Sequence, residues 1–189
     1  WKRSGRPLVA LLPGSRVQEL NKMLPKMLAV EKHFPQCDFV VAGVESLGKE
    51  FYQSFLKDSQ IKVVFSQTYP LFEEADAALV SSGTATLEAA LFNVPQVVCY
   101  QASWLSFAIA KVLVDVKYIS LVNLISDQEI VKELLQEDLT VPNMVVELQR
   151  LLSEEGILEM QNHYNTLRHS LGGEGASERI AQSISGHVM

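Results

Sequence analysis

The sequence predicts an α/β domain, a doubly wound parallel sheet of about six strands covered on both faces and followed by a helical C-terminal tail. Three observations carry that expectation: apolar runs of strand length recur along the chain, segments of helical spacing separate them, and the tail keeps only the helical period. Short connections between alternating strands and helices favour parallel pairing, with helices packed on both sides.

Strands are expected at Leu8 to Leu12, Asp38 to Ala42, Ile61 to Phe65, Ala77 to Val80, Gln96 to Tyr100 and Tyr118 to Ser120. Their β-branched content, flanked by Pro, Gly, Asn or Asp, favours strands buried on both faces over short core helices. After the first strand, Leu20, Met23, Leu24, Met27 and Leu28 fall on one helical face. Pro25 has no N–H to give a helix interior, so that helix is expected to begin near Met23 or Leu24, with Pro25 in its opening turn. In the tail, Ile157, Met160, Tyr164, Leu167 and Leu171 step by three and four residues before Gly172-Gly173 ends the helix. Whether that stripe packs on an absent domain or on a second subunit of a homodimer is open at this point. A last short helix near Ser177 to Ile184 has Ile180 and Ile184 as its anchors. No repeat or internal boundary appears, so residues 1–189 are expected to form one domain.

With 189 residues, 48% of them hydrophobic, the chain can bury a substantial core. A net charge of -6 without a Lys/Arg block excludes broad electrostatic capture of nucleic acid, while leaving single cations free to hold one phosphate group. Cys37 and Cys99 are too few for a disulfide framework or a zinc site and suit buried positions in a reducing compartment. No clustered Asp/His ligands suggest a metal, and no cofactor is expected. His33, His163 and His169 have exposed-looking helical patterns, and His187 lies near the terminus. No stretch reaches the roughly 20 apolar residues of a membrane span, and no secretory leader is expected. "WLSFAIAKVLV", residues 104–114, is read as a buried sheet-covering helix, with contact to acyl chains or membrane as the other reading.

Two strand-to-helix corners carry the chemistry. In "LLPGSRVQE", Gly14 allows a tight turn or close approach to a ligand, Ser15 can cap or donate, and Arg16 adds a forked cation suited to phosphate. Neither a Walker loop nor the spaced-glycine dinucleotide fingerprint is present. In "SSGTATLEAAL", Ser82, Gly83 and Thr84 offer N–H or hydroxyl donors where a helix begins, and Glu88 lies one turn on, facing the same end. The same residues would also make a well-capped helix. As a binding site they read as two parts: donors for a diphosphate, and one carboxylate that accepts from the paired hydroxyls of a ribose.

Together, "LLPGSRVQEL", "SSGTATLEAALFNVPQVVCY", "IAKVLVDVKYISLVNLI" and "ELLQEDLTVPNMVVEL" resemble the C-terminal half of the lipid-A-disaccharide synthase family, in order and over roughly Leu8 to Arg150. The resemblance implies the C-terminal, Rossmann-like domain of a two-domain GT-B glycosyltransferase. It implies transfer of 2,3-diacylglucosamine from UDP-2,3-diacylglucosamine to 2,3-diacylglucosamine 1-phosphate, with a β-1,6 linkage formed and UDP released. Carried over by position, Gly14, Ser15 and Arg16 approach the diphosphate, with Arg16 stabilising the leaving group. Ser82, Gly83 and Thr84 supply capping donors, Glu88 takes the ribose, and Gln101 and Asn123 stand on the cleft side. Asn123 would serve equally as a loop or helix-capping residue. The general base is expected in an N-terminal domain that residues 1–189, beginning at Trp1, lack, so this part alone is expected to be inactive. The resemblance places the whole enzyme in the cytoplasm, peripheral to the inner membrane. A UDP-N-acetylglucosamine 2-epimerase, another GT-B enzyme or a non-catalytic nucleotide-binding module would share the same corners.

Overall fold

The computed structural model describes residues 4–56, 59–101 and 117–172. Six parallel strands form one sheet: β1 (Leu8–Leu12), β2 (Asp38–Gly43), β3 (Lys62–Phe65), β4 (Ala77–Ser81), β5 (Gln96–Tyr100) and β6 (Lys132–Leu135). Their order is β3-β2-β1-β4-β5-β6, so the chain winds outward from β1 in one direction and from β4 in the other. Val9 pairs with Phe39 on one side and Ala77 on the other. Along β1, Val9 and Leu11 enter one core while Leu8, Ala10 and Leu12 enter the opposite one. That alternation explains why the central strands are continuously apolar.

The helices are α1 (Val17–Leu28), α2 (Gly48–Leu56), α3 (Thr68–Glu74), α4 (Thr84–Leu91), α5 (Leu121–Ser126), α6 (Val141–Leu151) and α7 (Glu154–Ser170). α1, α2 and α6 contribute to the larger core, whereas Leu71 and Phe72 of α3 and Ala89 of α4 build the smaller one.

Two expectations need correction. The first helix spans Val17–Leu28 with Pro25 in its interior, instead of starting near Met23. Pro25 sits on the exposed side, and Leu20, Met23, Leu24 and Met27 are all fully buried beneath it. At about 1.5–3 kcal/mol for each buried side chain, that packing outweighs the roughly 3 kcal/mol an interior proline costs. The sixth strand is Lys132–Leu135, and Tyr118 to Ser120 form no strand. The backbone N–H groups of Ile119 and Ser120 donate to the Glu133 carboxylate instead of joining a ladder. β6 escaped notice because Lys132 and Glu133 make half of it charged, a composition that suits a sheet edge.

The tail helix α7 packs on this domain itself. Met160, Tyr164 and Leu167 belong to the larger core. The Tyr164 hydroxyl donates to the Val94 carbonyl at 3.1 Å, and Arg168 Nη2 donates to the Leu91 carbonyl at 2.8 Å and to Asn93 Oδ1 at 2.6 Å. Arg168 thus places a cation at the C-terminus of α4, where it complements the helix dipole. His33 and His169 are exposed and His163 is half-buried. The 104–114 stretch, the Ser177 to Ile184 segment and His187 lie outside the described residues.

Candidate functional site

A cavity of about 250 Å³ opens at the carboxyl ends of β1, β2 and β4. Its position follows from the winding: β1 and β4 are neighbours whose connections depart in opposite directions, leaving a crevice between the loops that follow them. Gly14, Ser15, Ser82, Gly83, Thr84 and Glu88 all line this one cavity. The two corners singled out in the sequence therefore face each other across adjacent strands.

At the β1 corner, Gly14 has φ +104°, and a Cβ placed on it would lie 2.7 Å from Glu19 Oε2 and 3.3 Å from Ser81 Oγ. The positive φ favours glycine, and a side chain here would also push the Glu19 carboxylate aside. Arg16 is the N-cap residue of α1, with extended backbone and no side-chain cap. Its side chain is 82% exposed, and its guanidinium reaches Glu19 Oε1 at 3.1 Å. Arg16 thus stands at the mouth, joined to the cavity through Glu19, which is one of its lining residues. Sequence reasoning missed Glu19, although an acidic residue three positions after Arg16 in a first helical turn was a readable signal. It also missed Thr68, which lines the cavity from the start of α3 and carries no motif.

At the β4 corner, Gly83 is the N-cap residue of α4 with φ +145°, and no side chain caps the helix. Neither Ser82 nor Thr84 caps the helix through its side chain, which sets aside the alternative that these residues merely make a well-capped helix. Among the described residues, the N–H groups of Gly83, Thr84 and Ala85 make no hydrogen bond, so the N-terminus of α4 is open to an anion. Ser82 is differently engaged: its N–H donates to the Cys99 carbonyl at 3.2 Å and its hydroxyl to the Ile119 carbonyl at 3.3 Å. Glu88 is half-buried, and its carboxylate has no hydrogen-bond or ion-pair partner among the described residues. An unpartnered acceptor one turn from an open helix N-terminus can grip hydroxyl groups beside a bound anion.

The other two expected residues lie elsewhere. Gln101 Oε1 accepts from Lys26 Nζ at 3.0 Å, and the same ammonium donates to the Leu139 carbonyl at 3.1 Å. Gln101 does not line the cavity. Asn123 is fully buried; its Nδ2 donates to the Val131 carbonyl and to Glu133, and its Oδ1 accepts from the N–H groups of Ile130 and Val131. Both donors and both acceptor sites are used, which gives Asn123 a structural role in shaping the turn before β6.

Burial pushes the Cys99 thiol up to about 12, the nearby Lys26 charge opposing it only in part. The thiol is therefore protonated at neutral pH and is no nucleophile. Among the described residues, no group of three or more His, Cys, Asp or Glu side chains is arranged to hold a metal ion. None of the described helices is long and apolar enough to cross a membrane.

Residues 3–185 match the sequence model of the family described as lipid-A-disaccharide synthetase. The chain belongs to that family. It is 37% identical over 191 residues to the lipid-A-disaccharide synthase of Anaeromyxobacter dehalogenans (strain 2CP-C), covering 97% of this chain and 50% of the relative. It is 40% identical over 185 residues to the lipid-A-disaccharide synthase of Psychromonas ingrahamii, covering 94% and 48%. The chain thus spans about half the length of these family members. Among solved structures it resembles the glycotransferase of kitacinnamycin, with a TM-score of 0.66 and 16% identity over 100% of this chain and 45% of that one. It also resembles the MnaA–UDP co-structure of S. aureus, with a TM-score of 0.64 and 14% identity over 97% and 46%. At such identities the likeness concerns the fold, which this member of the lipid-A-disaccharide synthetase family shares with GT-B glycosyltransferases.

Proposed function

We propose that this chain is the donor-binding half of a lipid-A-disaccharide synthase. The whole enzyme moves 2,3-diacylglucosamine from UDP-2,3-diacylglucosamine to 2,3-diacylglucosamine 1-phosphate. A hydroxyl of the acceptor attacks the anomeric carbon, the bond from that carbon to the diphosphate oxygen breaks, UDP leaves, and the acceptor's proton passes to a general base. That base is a carboxylate of a second, N-terminal domain. The half-length match to family members supports the second domain.

The single observation that carries the reading is the meeting of both corners in one cavity, with an open helix N-terminus and the unpartnered Glu88 side by side. Gly14, Ser15 and the N–H groups of Gly83, Thr84 and Ala85 surround the diphosphate. Arg16 swings onto it from the mouth, and Glu88 accepts from the ribose hydroxyls. Charge growing on the departing UDP meets fixed dipoles and a cation, which lowers the barrier without a proton transfer on this side. The acyl chains of both substrates draw the whole enzyme to a membrane surface, which the family resemblance makes the cytoplasmic face of the inner membrane.

The test is hydrogen exchange with and without UDP. Slower exchange of the amides at 14–16 and 82–88 is expected; no protection there refutes the site. Turnover by the full-length protein with acylated donor, set against plain UDP-N-acetylglucosamine, tests the substrate. Preference for the unacylated sugar would favour an epimerase or another GT-B enzyme.

A further inference from the structure

Glu133, on β6, lies outside the cavity, yet it is tied to it through one peptide group. Its Oε2 accepts from the Ile119 N–H at 2.9 Å, and its Oε1 accepts from the Ser120 N–H at 2.9 Å, the Ser120 hydroxyl at 2.8 Å and Asn123 Nδ2 at 2.9 Å. The peptide between Ile119 and Ser120 is planar, so its N–H and C=O point in opposite directions. One end is held by Glu133. The other end, the Ile119 carbonyl, accepts the Ser82 hydroxyl at 3.3 Å.

Ser82 lines the cavity and its hydroxyl carries one proton, which this bond uses. What remains on the oxygen is acceptor capacity. A phosphate oxygen at neutral pH has no proton to offer such a group, whereas a sugar hydroxyl does.

We infer that Glu133 is a positioning residue that acts through the Ile119–Ser120 peptide to set the Ser82 hydroxyl as an acceptor for a sugar hydroxyl of the ligand. Ser82 then works beside Glu88 on the sugar side of the cavity, while the free N–H groups of Gly83, Thr84 and Ala85 serve the phosphates. This division rests on the nucleotide-sugar reading above and assigns Ser82 a role different from the phosphate contact its position in the sequence suggests.

The test is a double-mutant cycle in the full-length enzyme with UDP-2,3-diacylglucosamine. Glu133→Gln leaves one acceptor oxygen for the four donors that the carboxylate serves and sets an NH₂ group against the N–H of Ile119 or of Ser120, so the segment that carries the Ile119–Ser120 peptide is displaced. Ser82→Ala and Glu133→Gln are each expected to raise the donor KM roughly fivefold with kcat within about twofold, and the double variant to raise it no further than one of them. Multiplied effects, or an unchanged KM in Glu133→Gln, overturn the positioning role. Glu133→Asp keeps both oxygens at shorter reach; the cycle run with it decides the question where the Gln variant does not fold. Inhibition constants of UDP and uridine separate the two assignments of Ser82. Equal shifts for both ligands in Ser82→Ala are expected, and a loss confined to UDP would return Ser82 to the phosphates. A wild-type enzyme that turns over no acylated donor refutes the proposed function itself, whereas turnover with multiplied effects refutes only the part given to Glu133.

Discussion

Arg16 and Glu19 close an ion pair at the mouth of the cavity, Nη1 to Oε1 at 3.1 Å, with the arginine side chain 82% exposed and the glutamate 29%. An exposed pair of this kind is worth about 1 kcal/mol or less, so a diphosphate can draw Arg16 away at little cost. Charge-assisted bonds from a guanidinium to phosphate oxygens contribute more, about 1.5–3 kcal/mol. Arg16→Ala is therefore expected to weaken UDP by roughly tenfold or more and leave uridine unchanged, as titration calorimetry would read. Equal losses for both ligands would make Arg16 structural.

Gly14→Ala tests the corner's shape. The new methyl would meet Glu19 Oε2 at 2.7 Å in a backbone at φ +104°. A strained positive φ costs of order 1–3 kcal/mol, and the displaced Glu19 would carry Arg16 with it. Lower thermal stability together with weaker UDP binding is expected; a variant normal in both would show that the loop relaxes freely.

Five strands, the parallel winding and the two corners that line the cavity were legible because each rests on local chemistry: β-branched runs, or glycine and hydroxyl residues at a strand exit. What was not legible depends on tertiary partners. Lys132 and Glu133 hid an edge strand, and Pro25 misplaced a helix start that burial of Leu20 and Met23 decides. Asn123 looked like a cleft residue because a lone polar group in "SLVNLI" gives no hint that Val131 and Glu133 will saturate it. Residue type suggested hydroxyl donors at Ser82, but only the Ile119 carbonyl reveals where that proton goes.

Asn123→Ala should accordingly act on stability. It orphans the N–H groups of Ile130 and Val131, which its Oδ1 accepts at 2.9 Å each. Unsatisfied buried groups cost about 1–3 kcal/mol apiece, so a clear drop in the denaturant midpoint is expected. UDP affinity of the folded fraction should change little; a large loss of affinity at normal stability would move Asn123 into the binding site.

Cys99 gives a pH signature. Its thiol is raised from 9.0 to about 12, mainly by burial. A folded pKa above the unfolded one means that the native state holds the proton more tightly. The contribution is complete below pH 9.0 and is lost as pH climbs towards about 12. Stability should fall across that window, with Cys37, Tyr52 and Tyr164, all raised by burial, adding the same sign. Cys99→Ala should flatten the alkaline limb of the stability curve. An unchanged limb would mean that the thiol does not contribute.

Glu88→Gln preserves the side chain's shape while replacing one acceptor oxygen with a donor and removing the charge. If both carboxylate oxygens accept from a ribose, uridine and UDP should lose affinity alike, by roughly tenfold, since hydrogen bonds to a charged group are worth about 1.5–3 kcal/mol. The charge argument fixes the sign of any difference between them: removing an anion beside the diphosphate relieves repulsion, so UDP cannot suffer more than uridine. Competitive binding of both ligands to the same variant reads this directly. A larger loss for UDP would place Glu88 against the phosphates through a bridging cation, and unaltered binding of both would detach the ribose from Glu88 altogether.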